Sequence, residues 1–410
     1  MVTGSELVRG DRSDLNGPFL AQALLRHGVE PAEIRVVGDD PDELLAALTD
    51  GLKRELLVVT GGLGPTHDDR TVALLARALG RTLHLDGALE ERIEAVSRPF
   101  AIRSGRTYDE YAPGVRKQAT IPEGAVVVGL AGTAPALLLE HGNGLALALP
   151  GPPRELQMLW PLVVACAPFA RLIEGAVPRG RRVQRFYGVG ESVVGRALAS
   201  AGGERDGLEL TICARDFEIH VDLLVSAGGE QAADELEAAL EAELGKYLFT
   251  RSERSIEELV LERCVELGLR LATAESCTGG AVAARLSSVP GASASLLGGV
   301  VAYADAVKES QLGVSHATLA THGAVSAQIA QQMARGVREA LRADVGIAVT
   351  GIAGPGGGTP DKPVGLVYLC ASGPGGEIDE ELHGMGDRDA VRKRATVAAL
   401  HLVHRLLASR

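Results

Sequence analysis

Ser293, Tyr303 and Lys308 stand close together in the second half of the chain and are of the types that carry out acyl transfer. Tyr303 is expected at the end of a strand, Gly299–Tyr303. Lys308 is expected in the first turn of the next helix, Ala306–Leu312, with Asp305 as its cap. An amine so placed sits against the helix dipole, which disfavours a cation. An uncharged amine beside a hydroxyl can serve as general base for a serine nucleophile. On spacing alone the plainer description carries more weight: a small-residue turn, a half-buried ring and a surface lysine. Three glycine-rich segments flank these residues: Glu275–Gly280, Gly298-Gly299 and Gly351–Gly358. In an open α/β sheet ligands bind beyond the carboxyl ends of strands, where glycines let backbone N–H groups approach an anion. Cys277 would be a nucleophile only with a lowered pKa, and it has no histidine beside it in sequence.

A second candidate lies near the start. Thr60–Asp69 reads as strand end, glycine turn (Gly61, Gly62, Gly64) and paired acids. Asp68 and Asp69 are expected either to cap a helix or to hold a divalent ion against a pyrophosphate. His67 reads as a surface turn residue.

The elements that must position these groups follow from pattern. Short apolar runs alternate with amphipathic stretches over the first 150 residues, as in βαβ units. Strands are expected at Ile34–Val37, Leu56–Thr60, Val126–Val128 and Ala146–Leu149, with helices at Gly17–His27 and after the Asp40-Pro41 start signal. Residues 180–250 read as a small α+β module, with strands at Arg185–Tyr187, Leu208–Cys213 and Ile219–Val225 and helices at Glu191–Ala199 and Gln231–Leu244. Ser255 and Glu258 form a capping box for the helix that opens the last domain. Strands at Leu269–Thr273, Gly346–Thr350 and Leu366–Ala371 and helices at Ser326–Arg342 and Asp389–Ala408 complete it. The fold class is therefore α/β, in three parts: 1–170, 171–252 and 253–410.

Composition narrows the function. Net charge is −12 and aromatic residues make up 3% of 410 residues, so neither a phosphate-backbone binder nor a base-stacking platform is expected. Five cysteines without metal-ligand spacing fit reduced thiols and a cytoplasmic location. No apolar run reaches the roughly 18–20 residues a membrane span needs. The basic run Arg388, Arg392, Lys393, Arg394 reads mostly as a solvated helix face.

The ordered motifs AESCTGG (274–280), PGASAS (290–295), GGVVAYADAVK (298–308), LGV (312–314), HGAVS (322–326), AVTGIAGPGGG (348–358), KPVG (362–365) and GDRDAVR (386–392) resemble the nicotinamide-nucleotide amidase domain of the CinA family. The resemblance covers essentially all of 255–410. It implies a Ser/Lys hydrolase that needs no cofactor, converting nicotinamide mononucleotide to nicotinic acid mononucleotide and ammonia. It puts the nucleophile on Ser293, the lysine on Lys308 and an assisting tyrosine on Tyr303. Glu275, Thr278, Gly279, Gly280, Gly351, Gly354 and Arg388 are the expected substrate-binding positions, with Arg388 as the phosphate partner. SEL (5–7), DLN (14–16), TGGLGPTHDD (60–69), RKQA (116–119), GTAP (132–135) and LPGPP (149–153) resemble the molybdopterin-binding-like domain that begins such proteins. Some members cleave ADP-ribose there. That site maps to Glu6, Asp14, Asn16, Gly61, Gly62, Asp68, Asp69 and Lys117, with Asp68 and Asp69 toward a metal. Val115 and Leu130-Ala131 depart from the family pattern, and Met1–Gly4 begins where the first strand is expected to be ending, so several strand residues are expected to be absent. The middle module resembles the family's KH-like domain without a GxxG clamp. A homodimer acting on a small nucleotide, with no nucleic acid or membrane partner, is implied. A non-catalytic role in competence or DNA damage is the remaining alternative.

Overall fold

The computed structural model describes residues 1–142 and 144–408, which divide into two compact units, Met1–Arg179 and Gly180–Arg410. The first break lies near the expected 170/171 boundary. The expected 252/253 boundary falls in the loop between a strand ending at Thr250 and the helix Ile256–Glu266, inside the second unit.

In the first unit, β1 (Val2–Thr3), β2 (Val36–Val37), β3 (Leu56–Thr60), β6 (Val126–Leu130), β7 (Pro135–His141) and β8 (Gly144–Leu149) form one sheet in the order β2-β1-β3-β8-β7-β6. β4 (Leu83–Leu85) and β5 (Thr120–Pro122) make a separate antiparallel pair. The pairs β2–β1, β1–β3 and β3–β8 run parallel, while β8–β7 and β7–β6 run antiparallel. β3 and β8 are covered on both faces, which explains why they read as continuous aliphatic runs. β1 has two residues and joins its neighbours through Val2 N to Arg35 O, Gly4 N to Val37 O and Thr60 N to Met1 O. The Met1 ammonium donates to Val58 O at 2.8 Å, and burial lowers its pKa. β2 is shorter than the Ile34–Val37 expected. A cavity of about 650 Å³ lies beside it, lined by aliphatic groups such as Leu20, Leu24, Ile34 and Leu57. Asp40 caps the helix Pro41–Gly51 as its sequence signals predict, accepting from Asp42 N and Glu43 N. Val115, where the family pattern has asparagine, is buried among aliphatic neighbours.

In the second unit, β9 (Gly180–Tyr187), β10 (Leu208–Arg215), β11 (Glu218–Val225) and β12 (Leu248–Thr250) form an antiparallel sheet, order β10-β11-β9-β12. Its alternate residues Ile219, Val221, Leu223 and Val225 pack under the helices Glu191–Ser200 and Glu230–Leu244. The opposite face carries Glu218, His220 and Asp222. β13 (Leu271–Glu275), β14 (Leu296–Val301), β15 (Val345–Gly351), β16 (Leu366–Gly373) and β17 (Gly376–His383) make the last sheet, order β14-β13-β15-β16-β17. β14, β13 and β15 are parallel; β16 and β17 are antiparallel. Val345, Ile347 and Val349 face the helices Ile256–Glu266, Ala281–Ser287 and Arg388–Ala408, whereas Ala348 faces Ala327–Leu341. Both faces are thus covered, as the unbroken apolar strands require. The Ser255–Glu258 capping box forms as its sequence predicts.

The C-terminal helix Arg388–Ala408 touches both sheets of this unit. His401 is 2% exposed; its Nε2 lies 2.7 Å from Glu218 Oε1 and its ring stacks on Tyr187 at 3.7 Å. Desolvation lowers the His401 pKa, opposed by the hydrogen bond to Glu218. For Glu218 desolvation acts upward but is outweighed by hydrogen bonds from His220 and His401, so its pKa falls. Both folded values lie below the unfolded ones, so the folded state binds fewer protons and acid destabilises it. Stability is full above the ordinary histidine value of about 6.5 and declines below it, then again below the ordinary glutamate value of about 4.5. Thermal melts of the full chain should show Tm falling more steeply below pH 6.5 than between pH 8 and 7, where the buried Met1 ammonium contributes. His401→Gln, which cannot titrate, should flatten the upper part of that fall; an unchanged slope would contradict the assignment.

Candidate functional site

The parallel strands β13 and β14 decide which residues can meet. Ala302 N donates to Glu275 O at 2.8 Å, so the turn after β13 and the turn after β14 leave the same edge of the sheet side by side. Ser276 follows β13 directly and is 8% exposed; its N–H donates to Val349 O on the other neighbour, β15. Tyr303 lies two residues past the end of β14, not within it, and its ring is exposed. Lys308 is 1% exposed, and its Nζ lies 3.4 Å from Tyr303 O and 3.1 Å from Asp305 Oδ1. The helix is Asp305–Leu312, capped by Ala304 without a side-chain bond. Asp305 is therefore the first helical residue instead of the cap, and its carboxylate reaches one turn along to Lys308, the ordinary i,i+3 partnership. The expected surface lysine is a buried, ion-paired one.

Ser293 is not in this group. It sits in the one-turn helix Ala292–Ala294 before β14, and Leu271 N donates to Ser295 O at the opening end of β13. Six strand residues at about 3.3 Å each put roughly 20 Å between the two ends of β14. The three residues from Ser293 to Leu296 reach at most about 11 Å, well short of that distance, so the Ser293 hydroxyl and the Lys308 amine, which bonds beyond the far end at Tyr303 O, lie at opposite ends of the strand. Gly298 and Gly299, expected as a turn before the strand, are inside it.

The turn after Ser276 is organised by Glu275. This carboxylate is 1% exposed and accepts from Gly280 N at 2.9 Å, Val282 N at 3.0 Å and Ala283 N at 2.8 Å. It satisfies the open N-terminus of the helix Ala281–Ser287, a role in packing rather than in substrate contact. Gly279 at φ 63° and Gly280 at φ 97° take left-handed conformations that let the chain turn back over it. Glu275→Ala would strand those donors in the core. It should cost about 3 kcal/mol, with Glu275→Gln milder because one oxygen still accepts; equal urea midpoints for wild type and Glu275→Ala would refute this.

Two of the expected anion donors are taken: Gly280 N by Glu275, and Gly279 N by Ser276 O at 3.1 Å. Among the described residues no oxygen accepts from Cys277 N or Thr278 N, and Thr278 Oγ1 is buried without a partner. Cys277 is buried, and desolvation pushes its thiol up to about 11, so it is a packed thiol and not a thiolate nucleophile. Arg388 is exposed and Arg392 half-buried, and both bond inward onto the turns. Arg388 donates to Tyr303 OH at 2.9 Å and to Gly354 O at 2.7 Å, and Arg392 donates to Cys277 O at 3.2 Å and to Thr278 O at 2.8 Å. Lys393 does pair outward with Asp389. Gly351 closes β15, where an added Cβ would meet Val367 at 2.6 Å.

In the first unit the carboxyl ends of β1, β3 and β8 open on a cavity of about 550 Å³ whose lining includes Glu6, Asp14, Asn16, Gly61, Gly62, Asp68 and Asp69. Every residue expected there lines it except Lys117, whose Nζ donates to Thr66 O. Asn16 Nδ2 donates to Thr60 Oγ1 and Gly151 O, leaving its buried Oδ1 unpartnered. Side chains on the two glycines would collide, at Gly61 with Thr3 O at 2.5 Å and at Gly62 with Thr71 Oγ1 at 2.3 Å. Asp14 accepts from Asn16 N and Gly17 N at the start of the helix Asn16–Leu25. Asp69 Oδ2 accepts from Thr66 N. Asp68 and Asp69 cap no helix, since the next one, Thr71–Ala78, starts after Arg70. Among the described residues no three His, Cys, Asp or Glu side chains come together to hold a metal ion.

The fold is α/β in two units, each with a site built on glycine turns: one beside Ser276, Tyr303 and Lys308 at the ends of β13 and β14, the other at the ends of β1, β3 and β8. Residues 253–407 match the CinA C-terminal domain and residues 1–171 the probable molybdopterin binding domain. A CinA-like protein of Mycobacterium tuberculosis is 39% identical over 417 residues, covering 99% of this chain and 96% of that one. One of Mycobacterium avium is 39% identical over 427 residues, covering 99% and 97%. The crystal structure of competence/damage inducible protein CihA from Agrobacterium tumefaciens is 42% identical, covering 38% of this chain and 99% of that one, with a TM-score of 0.36. The chain belongs to the CinA family. Among the described residues no single helix is long and apolar enough to cross a membrane.

Proposed function

We propose that residues 253–410 hydrolyse the carboxamide of nicotinamide mononucleotide, with Ser276, not Ser293, as nucleophile. The observation that carries this is the shared edge of β13 and β14, where Ser276 and Tyr303 each follow their strand and the buried Lys308 amine reaches back to Tyr303 O. The Lys308 amine takes the Ser276 proton as Oγ attacks the carboxamide carbon. The N–H groups of Cys277 and Thr278, which face only the weakly accepting Cys277 sulfur, receive the oxyanion. The C–N bond breaks, the proton passes from Lys308 to the departing ammonia, and an ester remains on Ser276. Water then adds to the ester and releases nicotinic acid mononucleotide. Tyr303 relays or steadies the proton, and Arg388, which has no carboxylate partner among the described residues, binds the 5′-phosphate. The chemistry needs no cofactor from the protein, and we read the enzyme as a cytoplasmic homodimer acting on a free nucleotide. Ammonia release from nicotinamide mononucleotide by the purified chain tests the proposal; no release overturns it.

The cavity that gathers Glu6, Asp14, Asn16, Gly61, Gly62 and both acids supports a second reading, cleavage of ADP-ribose at its pyrophosphate. Asp68 and Asp69 would share an ion with the oxygens of the pyrophosphate. AMP formation with Mg²⁺, Mn²⁺ or Co²⁺ supports that reading, and its absence with all three removes it.

A further inference from the structure

We propose that Arg392 is a positioning residue that aims the Thr278 N–H at the carboxamide oxygen of the substrate; this rests on the reading of Ser276 as nucleophile. The argument starts from the planarity of the peptide bond. In a trans peptide the C=O of one residue and the N–H of the next point in opposite directions. Arg392 Nε donates to Cys277 O at 3.2 Å, which directs the Thr278 N–H away from the guanidinium, back toward the Ser276 side of the turn. Arg392 Nη2 donates to Thr278 O at 2.8 Å, and the N–H of that second peptide, on Gly279, closes onto Ser276 O. The two bonds therefore fix the Cys277–Thr278 and Thr278–Gly279 peptide planes, the second and third after the nucleophile.

Three further observations fit a role beyond packing. The Thr278 N–H has no acceptor oxygen among the described residues and faces only the Cys277 sulfur, a weak acceptor, while the Gly279 and Gly280 N–H groups beside it are both taken by oxygens. The hydroxyl of the same Thr278 is buried and unpartnered, so the held residue carries a second donor with no oxygen to bond. Arg392 also has no carboxylate partner among the described residues, in a chain of net charge −12 where Arg285, Arg335 and Arg405 each pair with an acid. Its charge is left to act on the turn: a cation bonded to a carbonyl polarises that peptide and makes its N–H a better donor for a developing oxyanion. A planar fork is needed to reach two successive carbonyls, and lysine offers no such fork.

The test uses the full chain with nicotinamide mononucleotide and compares Arg392→Ala and Arg392→Lys with wild type, with Ser276→Ala alongside. The expected result is a fall in kcat of about 30- to 100-fold for Arg392→Ala, with KM within about threefold, because a misaimed donor weakens the transition state more than binding. Arg392→Lys should recover only a small part, and millimolar guanidinium ion should restore part of the rate to Arg392→Ala. Unchanged kcat overturns the proposal. A loss confined to KM overturns it by making Arg392 a substrate-binding group, and a loss that follows Tm and resists guanidinium reduces it to a packing residue. If Ser276→Ala keeps the wild-type rate, the underlying reading fails; if Ser276→Ala is inactive and Arg392→Ala is not impaired, this inference alone fails. A wild-type chain inert toward the nucleotide removes both.

Discussion

Ser276→Ala should lower amide hydrolysis by about 10⁴-fold or more, while Ser293→Ala should leave kcat within about twofold. The contrast follows from a strand's length. The turns that carry Ser276 and Tyr303 leave the same sheet edge, tied by the bond from Ala302 N to Glu275 O. Ser293 lies before β14 and so at the other edge. An alanine at 276 removes a small hydroxyl from a nearly buried position without a cavity of consequence, so Tm should hardly move and the rate loss is chemical. Ammonia release by each purified variant, read beside its melting curve, decides the matter. Loss of activity in Ser293→Ala with a native melt would contradict the geometry.

Lys308→Met should lower kcat by about 10³-fold, within the range for loss of a general base. Methionine keeps an unbranched stem of similar length in the same buried slot, so the substitution separates the amine from its packing. The partner left behind, Asp305, has a 58% exposed side chain and can rehydrate. Removing one member of a buried pair is costly when the other stays buried and charged; here it does not. Tm should therefore hold or rise slightly while activity is lost. A Lys308→Met enzyme of near wild-type rate would show that the ion pair is structural only.

Much of the architecture was legible because it is written in patterns with a short period. Leu56–Thr60 is read to the residue, and the Asp40 cap and the Ser255–Glu258 box form as their local chemistry requires. β17 was missed because its residues, Gly376–His383, alternate charge with little aliphatic content, being an edge strand with one exposed face. The site was legible in composition but not in arrangement. The motifs name every residue now found at the β13–β14 edge, yet the serine was placed by resemblance at 293. The rule that ligands gather beyond the carboxyl ends of parallel strands favours Ser276, which follows a strand, over Ser293, which precedes one. Arg392 left no such signal: helix spacing cannot show that a guanidinium turns inward onto two carbonyls nearly 115 residues earlier.

The nature of Glu275 illustrates a related difficulty. A glutamate in a glycine-rich turn reads as a ligand contact, but a buried carboxylate beside three open helix N–H groups satisfies a need of the fold first. Only the registers of β13 against β14 and β15 reveal which backbone donors remain for a substrate.

The most direct test of the serine–lysine centre is to quench the enzyme in acid during turnover of nicotinamide mononucleotide and map the peptides by mass. The account predicts an ester of the nicotinoyl nucleotide on the peptide that contains Ser276, absent from Ser276→Ala. An ester on the peptide containing Ser293, or a thioester on Cys277, would contradict it.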